Sequence, residues 1–432
     1  MNREHTLRAW IASFFLAAAC AFCAELDEFA GVEIDDTSTL LGVAGLSEIM
    51  GVTVTSADTY FTLTFASGTP PTNVILHADY GGPATPANAL YDAGDGNWTA
   101  YSSNTITLAG SYLKIRGDWR TAAGTYDSML YNSLAGAGYT CEFDGTLDYA
   151  ATNAYAYNEI FRGCTSVSAI NENPFQAITG TPAASMFYLA CYNMSGVTNL
   201  PTGFMDTSGL TGTPAASMFY SACQNMSGVT NLPTGFMDTS GLTGTPAVNM
   251  FYLACYNMSG VTNLPTGFLD TSGLTGTPAA SMLRSACNGM SGVTNLPTGF
   301  MDTSGLTGTP APNMLRSACN GMSGVTNLPT GFLDTSGLTG TPATYMFYLA
   351  CSGMSGLASG NITISSNVTF TAANLTTTAA LTATFSGDAL WGGQLYWGTN
   401  VIHTVLTPTN DLNTFAGCTN MPDYGTIDAN WK

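Results

Sequence analysis

Six cysteines, Cys191, Cys223, Cys255, Cys287, Cys319 and Cys351, recur at intervals of 32 residues, each inside a close copy of the segment SMFYLACYNMSGVTNLPTGFMDTSGLTGTPAA that begins at Ser185. A thiol at a fixed period has three chemistries open to it: a disulfide, a metal ligand, or a reduced side chain in a core. If consecutive copies stack, equivalent residues lie about one strand spacing apart, ~4.8 Å, with parallel Cα–Cβ vectors. Their Cβ atoms are then farther apart than the ~3.8 Å that a disulfide prefers. Zinc needs four ligands converging on one point, and a column offers any centre at most two neighbours. Nine cysteines follow residue 24, an odd number, and Cys141, Cys164 and Cys418 stand outside the six copies. A ladder of buried thiols is the favoured reading, with sporadic disulfides and a metal site as its alternatives.

A second column, Asp206, Asp238, Asp270, Asp302 and Asp334, lies inside the recurring phrase DTSG. Like charges one rung apart repel unless they are solvated, hydrogen-bonded to turn amides, or bridged by calcium. Turn capping is favoured, because each copy supplies one carboxylate and a hard cation wants several oxygens; a calcium ladder is the alternative. The likeness of DTSG to an aspartic protease motif carries no weight in a repeat unit, which offers no dyad. Beyond residue 24, histidine occurs only at His77 and His403, without a nucleophile pattern beside either. There is no phosphate-binding glycine loop, and the tripeptide GTP in each copy is turn sequence. No catalytic residue, cofactor or metal is expected, and the chain reads as a non-enzyme.

The copies differ most just before each cysteine, where FYLAC, FYSAC and LRSAC alternate. Tyr188, Tyr220, Tyr252, Arg284, Arg316 and Tyr348 therefore occupy one equivalent position. Core positions tolerate little change, so this stripe is expected to be at least partly exposed, and Tyr and Arg are the residue types enriched at binding hot spots. It is the candidate partner-binding face, set against ordinary surface drift after duplication.

The elements that position these residues follow from periodicity. The prolines Pro182, Pro214, Pro246, Pro278, Pro310 and Pro342 mark six copies, the last cut short after Gly356. Degenerate outliers flank them, IFRGCTSVSAINENPF from Ile160 and TFAGCTNMPDYGTID from Thr414, as a stacked array requires of its ends. Within a copy, Met186, Phe187, Cys191, Met194, Val197 and Leu200 are the apolar positions. They suit a short helical turn over ASMFYLACYN handing over to a short strand over GVTNL, with the chain returning through PTGFMDTSGLTGTP. Ahead of the array, residues 53–150 alternate as strands do, in YFTLTF, NVILHADY and TITLAGSYLKIRGDW, and read as a small β domain. Behind it, residues 357–432 read as a β-rich cap ending in a repeat-like unit.

These residues resemble the BspA-like leucine-rich-repeat surface proteins of bacteria. The match rests on Met186, Phe187, Cys191, Met194, Val197 and Asp206 to Ser208 in every full copy, with FRGCTSV and FAGCTNM as the same unit in shorter form. Two features depart from the family pattern. Three residues separate Phe187 from Cys191 where the flanking units have two, and 32 exceeds the ~20–29 residues usual for leucine-rich repeats. Periodicity, strand alternation and this resemblance together give the expected fold class, a β-rich α+β chain: a leucine-rich-repeat-like solenoid of 32-residue coils over residues 151–356, flanked by small β domains. The resemblance also implies surface or secreted placement and an adhesive role, and transfers no catalytic residues.

Composition agrees in kind. The chain has 432 residues, of which only 9% are charged, and 28 acidic against nine basic residues give a net charge of −19. That balance disfavours nucleic acid, which needs clustered Lys and Arg. Residues 1–24, with Arg3 and Arg8 before an apolar run from Ile11 to Phe22, read as a secretory signal peptide; a lipoprotein anchor at Cys20 is the alternative. Residues 25–52 read as a linker or small helical pair, in which LLGV at Leu40 and IMGV at Ile49 repeat after nine residues. No later apolar run reaches the ~20 residues of a membrane helix. The expectation is an exported surface protein that binds host or environmental proteins or glycans. A virion-associated protein of phage or prophage origin and a purely structural extracellular matrix or filament protein are the alternatives. An ice-binding array is disfavoured, since TSGLTGT lacks a flat alternating Thr-x-Thr strand.

Overall fold

The computed structural model describes residues 60–77, 89–121, 123–135, 138–147, 151–389, 391–409 and 412–432. The expected signal peptide, the Cys20 anchor and the 25–52 linker lie outside the described residues. Residues 60–432 form one compact unit. Its regular structure is mostly sheet with few helices, and no closed barrel is present among the described residues.

The N-terminal strands are β1 (Phe61–Gly68), β2 (Asn73–Ile75), β3 (Leu90–Asp92), β4 (Thr99–Ala100), β5 (Thr105–Thr107), β6 (Tyr112–Arg116), β7 (Tyr139–Asp144) and β8 (Val167–Ile170). Six of them form one sheet in the order β4-β3-β6-β1-β7-β8, and β2 pairs with β5 separately. Alternation in the sequence becomes burial: Phe61, Leu63 and Phe65 of β1, Leu113 and Ile115 of β6, and Cys141 and Phe143 of β7 all face the core. The last strand joins differently. β8 belongs to the lead-in unit and pairs with β7 in parallel, whereas the other pairings of this sheet are antiparallel. The sheet thus runs on past residue 150 into the first outlier of the array.

Within the array the expected helical turn is absent. Ser185, Leu189 and Asn193 have left-handed φ values of 53°, 53° and 65°, and this recurring reversal splits the backbone amides into two sets. Tyr188, Ala190, Tyr192 and Met194 donate back three residues, at 3.2–3.4 Å. Phe187, Leu189, Cys191 and Asn193 donate instead to the carbonyls of Met218, Tyr220, Ala222 and Gln224 in the next copy, at 2.7–2.8 Å. No i to i−4 ladder forms, and the GVTNL stretch makes only single bridges such as Asn231 to Asn263. The left-handed position also explains why NMSG and GMSG interchange: Asn193, Asn225 and Asn257 give way to Gly289, Gly321 and Gly353, and Asn and Gly are the residues that enter this region most readily.

The same cross-copy bonds extend beyond the six copies. Upstream, Tyr126 and Leu130 donate to Ala156 and Ile160, and Tyr157 and Phe161 donate to Met186 and Ala190. Downstream, Phe347 and Cys351 donate to Ala380 and Thr384, and Phe385 and Gly387 donate to Thr414 and Ala416. The ladder ends where Phe415 donates to Trp431 in a terminal 3-10 turn, Ala429–Trp431. The remaining elements are the two-residue pair β9 (Thr179–Gly180) and β10 (Gly209–Leu210), a small sheet of β11 (Ile362–Ile364), β12 (Leu395–Trp397) and β13 (Asn400–Val401), and the helices α1 (Ala372–Thr378) and α2 (Ile402–Val405). Helix α1 starts in a reciprocal cap between Thr371 and Asn374, and Ala379 stops it in a left-handed conformation.

Those bonds fix the register of the outliers and correct it. Phe161 stands in the column of Cys191, and Cys164 in the column of Met194; likewise Phe385 and Phe415 continue the cysteine column, and Asp388 and Cys418 the methionine column. The two-residue gap in FRGC therefore matches the two-residue gap in CYNM, and the flanking units are not shortened at this point.

Candidate functional site

The thiol column is core. All nine described cysteines are free and buried, and burial pushes the thiols of Cys223, Cys287 and Cys351 well above their ordinary range and that of Cys418 up to about 12. The thiols of Cys223, Cys255 and Cys319 lie 3.4, 3.5 and 3.6 Å from the Sδ atoms of Met205, Met237 and Met301. Such sulfur pairs invite a soft-metal reading, yet Cys287 and Cys351 face Leu269 and Leu333 at the equivalent place. A position that accepts Leu for Met fills volume, since that exchange conserves size and discards the donor. Among the described residues, no three His, Cys, Asp or Glu side chains converge as a metal site.

DTSG resolves residue by residue. The aspartate carboxylates accept the amide of the serine two positions on, at 3.0 Å in Asp206 and Asp238, 2.9 Å in Asp270 and Asp302, and 2.8 Å in Asp334. The buried threonines tie copy to copy: Thr207, Thr239, Thr271 and Thr303 donate their hydroxyls to the carbonyls of Asp238, Asp270, Asp302 and Asp334 at 2.7–2.9 Å. The glycine of MSGV is held by crowding. A Cβ on Gly228 would sit 2.7 Å from the Val197 carbonyl oxygen and 2.8 Å from that of Ser195, and Gly196, Gly260, Gly292, Gly324 and Gly356 are just as close to the preceding copy.

The variable stripe is brought together. Tyr188, Tyr220, Tyr252, Arg284, Arg316 and Tyr348 are all half-buried and follow one another along the array. The rings of Tyr188 and Tyr220 stack at 4.7 Å with 21° between planes, and Tyr220 and Tyr252 meet at 4.7 Å with a 52° tilt. The Arg284 guanidinium lies over the Tyr252 ring at 4.9 Å. Arg316 lies over Tyr348 at 5.1 Å and also over Tyr345 at 5.0 Å, and donates to the Asn313 amide oxygen at 3.3 Å. Burial, then the neighbouring phenols of Tyr252 and Tyr188, raise the Tyr220 hydroxyl above its usual range. Each contact joins a π face to another ring or to a cation, which organises the stripe without closing it off.

Sequence reasoning missed Tyr345. Its signal is the change from AASMF to ATYMF in the sixth copy, three residues ahead of the stripe position. It missed, too, the flanking pair of Arg162 over Tyr131 and Tyr192, at 4.9 and 5.5 Å, with Glu159 bound to that arginine at 2.7 Å.

The remaining chemistry is dispersed. His77 is fully buried, its Nδ1 on the Asp127 carbonyl at 2.9 Å, and burial lowers its proton affinity. His403 is lowered by burial too, 3.9 Å from the Asp423 carboxylate. A depression of about 380 Å³ lies between β7 and the lead-in unit, lined by Tyr139, Thr140, Thr165, Ser166 and Ser168 among others. Its lining holds hydroxyls but no carboxylate, imidazole, thiol or ammonium group. No helix among the described residues is long and apolar enough to cross a membrane. No protein-family model, no curated protein and no solved structure matches the chain.

Proposed function

We propose that the chain is an exported surface or secreted protein whose array is a leucine-rich-repeat-like solenoid of 32-residue coils, and that it binds protein or glycan partners along the Tyr188 to Tyr348 stripe. The observation that carries the reading is where the copies differ. The columns that are buried in every copy change only between apolar residues, Phe187 to Leu283 or Met205 to Leu269, and the positions that also exchange polar for apolar residues, Leu189 to Ser221 and Ser185 to Tyr345, are buried only in some copies. The half-buried 188-type position changes from tyrosine to arginine, a change of charge and shape that a packed interior would not accept. The cross-copy amide bonds support the stacked arrangement, and the recurring Met, Phe, Cys and Asp-Thr-Ser positions support the likeness to BspA-like surface proteins.

The test is attachment. Alanine at Tyr188, Tyr220, Tyr252 and Tyr348 together leaves the melting profile close to that of the parent and abolishes retention on immobilised host or environmental glycoproteins. Equal retention of parent and variant refutes the stripe as the binding face. Spontaneous fibres of the purified chain would transfer the reading to a structural matrix protein.

A further inference from the structure

Arg284 and Arg316 are the only basic residues of the six copies, and the five acids of those copies are all the aspartates of DTSG. The two arginines stand in consecutive copies. Leu253 donates to the Arg284 carbonyl at 3.0 Å and Ser285 to the Arg316 carbonyl at 2.8 Å, so the side chains leave the backbone on adjacent rungs, ~4.8 Å apart by strand spacing. They lean opposite ways along the array, Arg284 onto Tyr252 and Arg316 onto Tyr345 and Tyr348. Neither is in an ion pair among the described residues. Two like charges on adjacent rungs, spread apart on aromatic rings and left without a carboxylate, each offer a guanidinium to one anionic group of a ligand that runs along the stripe.

We propose that Arg284 and Arg316 form an anion site that takes the carboxylate or sulfate groups of an acidic polysaccharide laid along the stripe. The inference rests on the stripe being the binding face and adds the class of ligand. Three features favour a glycan over an acidic peptide. The backbone amides along this face are already committed, alternately within a copy and to the next, so no sheet edge is offered for strand addition. Tyr220 is flanked by a stacked ring, Tyr188, and a tilted one, Tyr252, each at 4.7 Å, and its phenolic hydroxyl suits a hydroxyl-rich chain. The rung spacing is close to the length of one pyranose residue, so successive sugars meet successive rungs.

The net charge of −19 sharpens the test. A polyanion is repelled by this chain at a distance, and binding therefore cannot arise from unspecific attraction. The full chain is titrated calorimetrically with polygalacturonate, with its methyl ester, with dextran sulfate and with poly-glutamate, beside the double variant Arg284→Gln/Arg316→Gln and the single variant Tyr220→Ala. Expected is binding of polygalacturonate or dextran sulfate, whichever matches the anion geometry better, no binding of the ester, and a loss of about 10- to 100-fold in the double variant, the scale of one or two charge-assisted hydrogen bonds. Equal binding of ester and acid, lost only with Tyr220→Ala, overturns the anion site and leaves the stripe. Poly-glutamate binding as well as the glycans overturns the ligand class. No binding of either acidic glycan by the parent, or full binding by the glutamine variant, overturns the inference outright, while retention on glycoproteins separately decides the fate of the stripe.

Discussion

Asp388 breaks the apolar rule of the ladder and should make the C-terminal rungs sensitive to pH. It occupies the column of Met354 and Cys418, is 0% exposed, and neither of its carboxyl oxygens has a hydrogen-bond partner. The nearest amides, those of Gly353 and Met354, already donate to the Ser386 and Cys351 carbonyls. Burial pushes the carboxyl from 3.8 up to about 8, against a partial pull downward from those two amides. The titratable groups facing it are the Cys351 and Cys418 thiols, which burial keeps protonated and the carboxylate raises further. The folded chain therefore holds a proton at Asp388 that the unfolded chain releases from about pH 4 upward. This contribution to stability is complete below 3.8, falls as pH rises, and is fully lost above about 8. Three pH units at about 1.4 kcal/mol each put the loss at roughly 4 kcal/mol by neutral pH.

The readout is hydrogen exchange at the Phe385 and Gly387 amides, which cross to the last rung at 2.8 and 2.7 Å, referenced to Phe251 and Cys255 in the middle of the array. Corrected for intrinsic rates, protection at Phe385 and Gly387 should fall by about a thousandfold between pH 5 and 8. In Asp388→Asn, which cannot ionise, and in Asp388→Cys, which copies the residue at 164 and 418, protection should hold level. A parent profile parallel to that of Asp388→Asn, or a carboxyl titrating near 4 by NMR, refutes the argument.

Gly260→Ala should cost about 3 kcal/mol or more in urea unfolding, because its Cβ would stand 2.7 Å from the Val229 carbonyl oxygen and backbone must move. Thr271→Val removes the 2.7 Å bond from a buried hydroxyl to the part-buried Asp302 carbonyl, for a loss of about 1–3 kcal/mol by the same measurement. The native chain should show no reactive thiol among Cys191 to Cys351 toward a thiol reagent at pH 8, all six reacting once guanidinium is added, while Met237→Leu changes the unfolding free energy by less than about 1 kcal/mol.

The repeat length, the burial of the cysteines, the capping role of the aspartates and the grouping of the 188-type residues were all legible in the sequence, because six near-identical copies print their own alignment. What escaped was the backbone between them. ASMFYLACYN has the composition of a helical turn, and nothing in Ser185 or Leu189 announces a left-handed φ; only the Asn to Gly exchange at 193, 225, 257 and 289 hints at it. The rungs at Tyr126 and Leu381 escaped for a related reason. Their side chains satisfy the packing of the ladder, but their sequences, YDSMLYN and LTATFSGDALW, share with the copies only Ser128, Tyr131, Asn132, Leu381, Ser386 and Gly387, and of these only Leu381 is a buried apolar residue.

Packing volume explains both the failed match and the cysteine itself. In the array a small residue, Cys191, precedes a large one, Met194; in the outliers a large residue, Phe161, Phe385 or Phe415, precedes a small one, Cys164, Asp388 or Cys418. Each rung thus spends its space on one large and one small side chain, and the cysteine is the small member of that pair. Cys255→Phe alone should overpack its rung and cost about 1–3 kcal/mol. Adding Met258→Cys recreates the order of the outliers, so the double variant should recover at least about 1 kcal/mol relative to the sum of the two single changes in a double-mutant cycle read by urea unfolding. Additive costs would mean that the two columns do not share their space, and the equivalence of CYNM with FRGC would be a matter of hydrogen-bond register only.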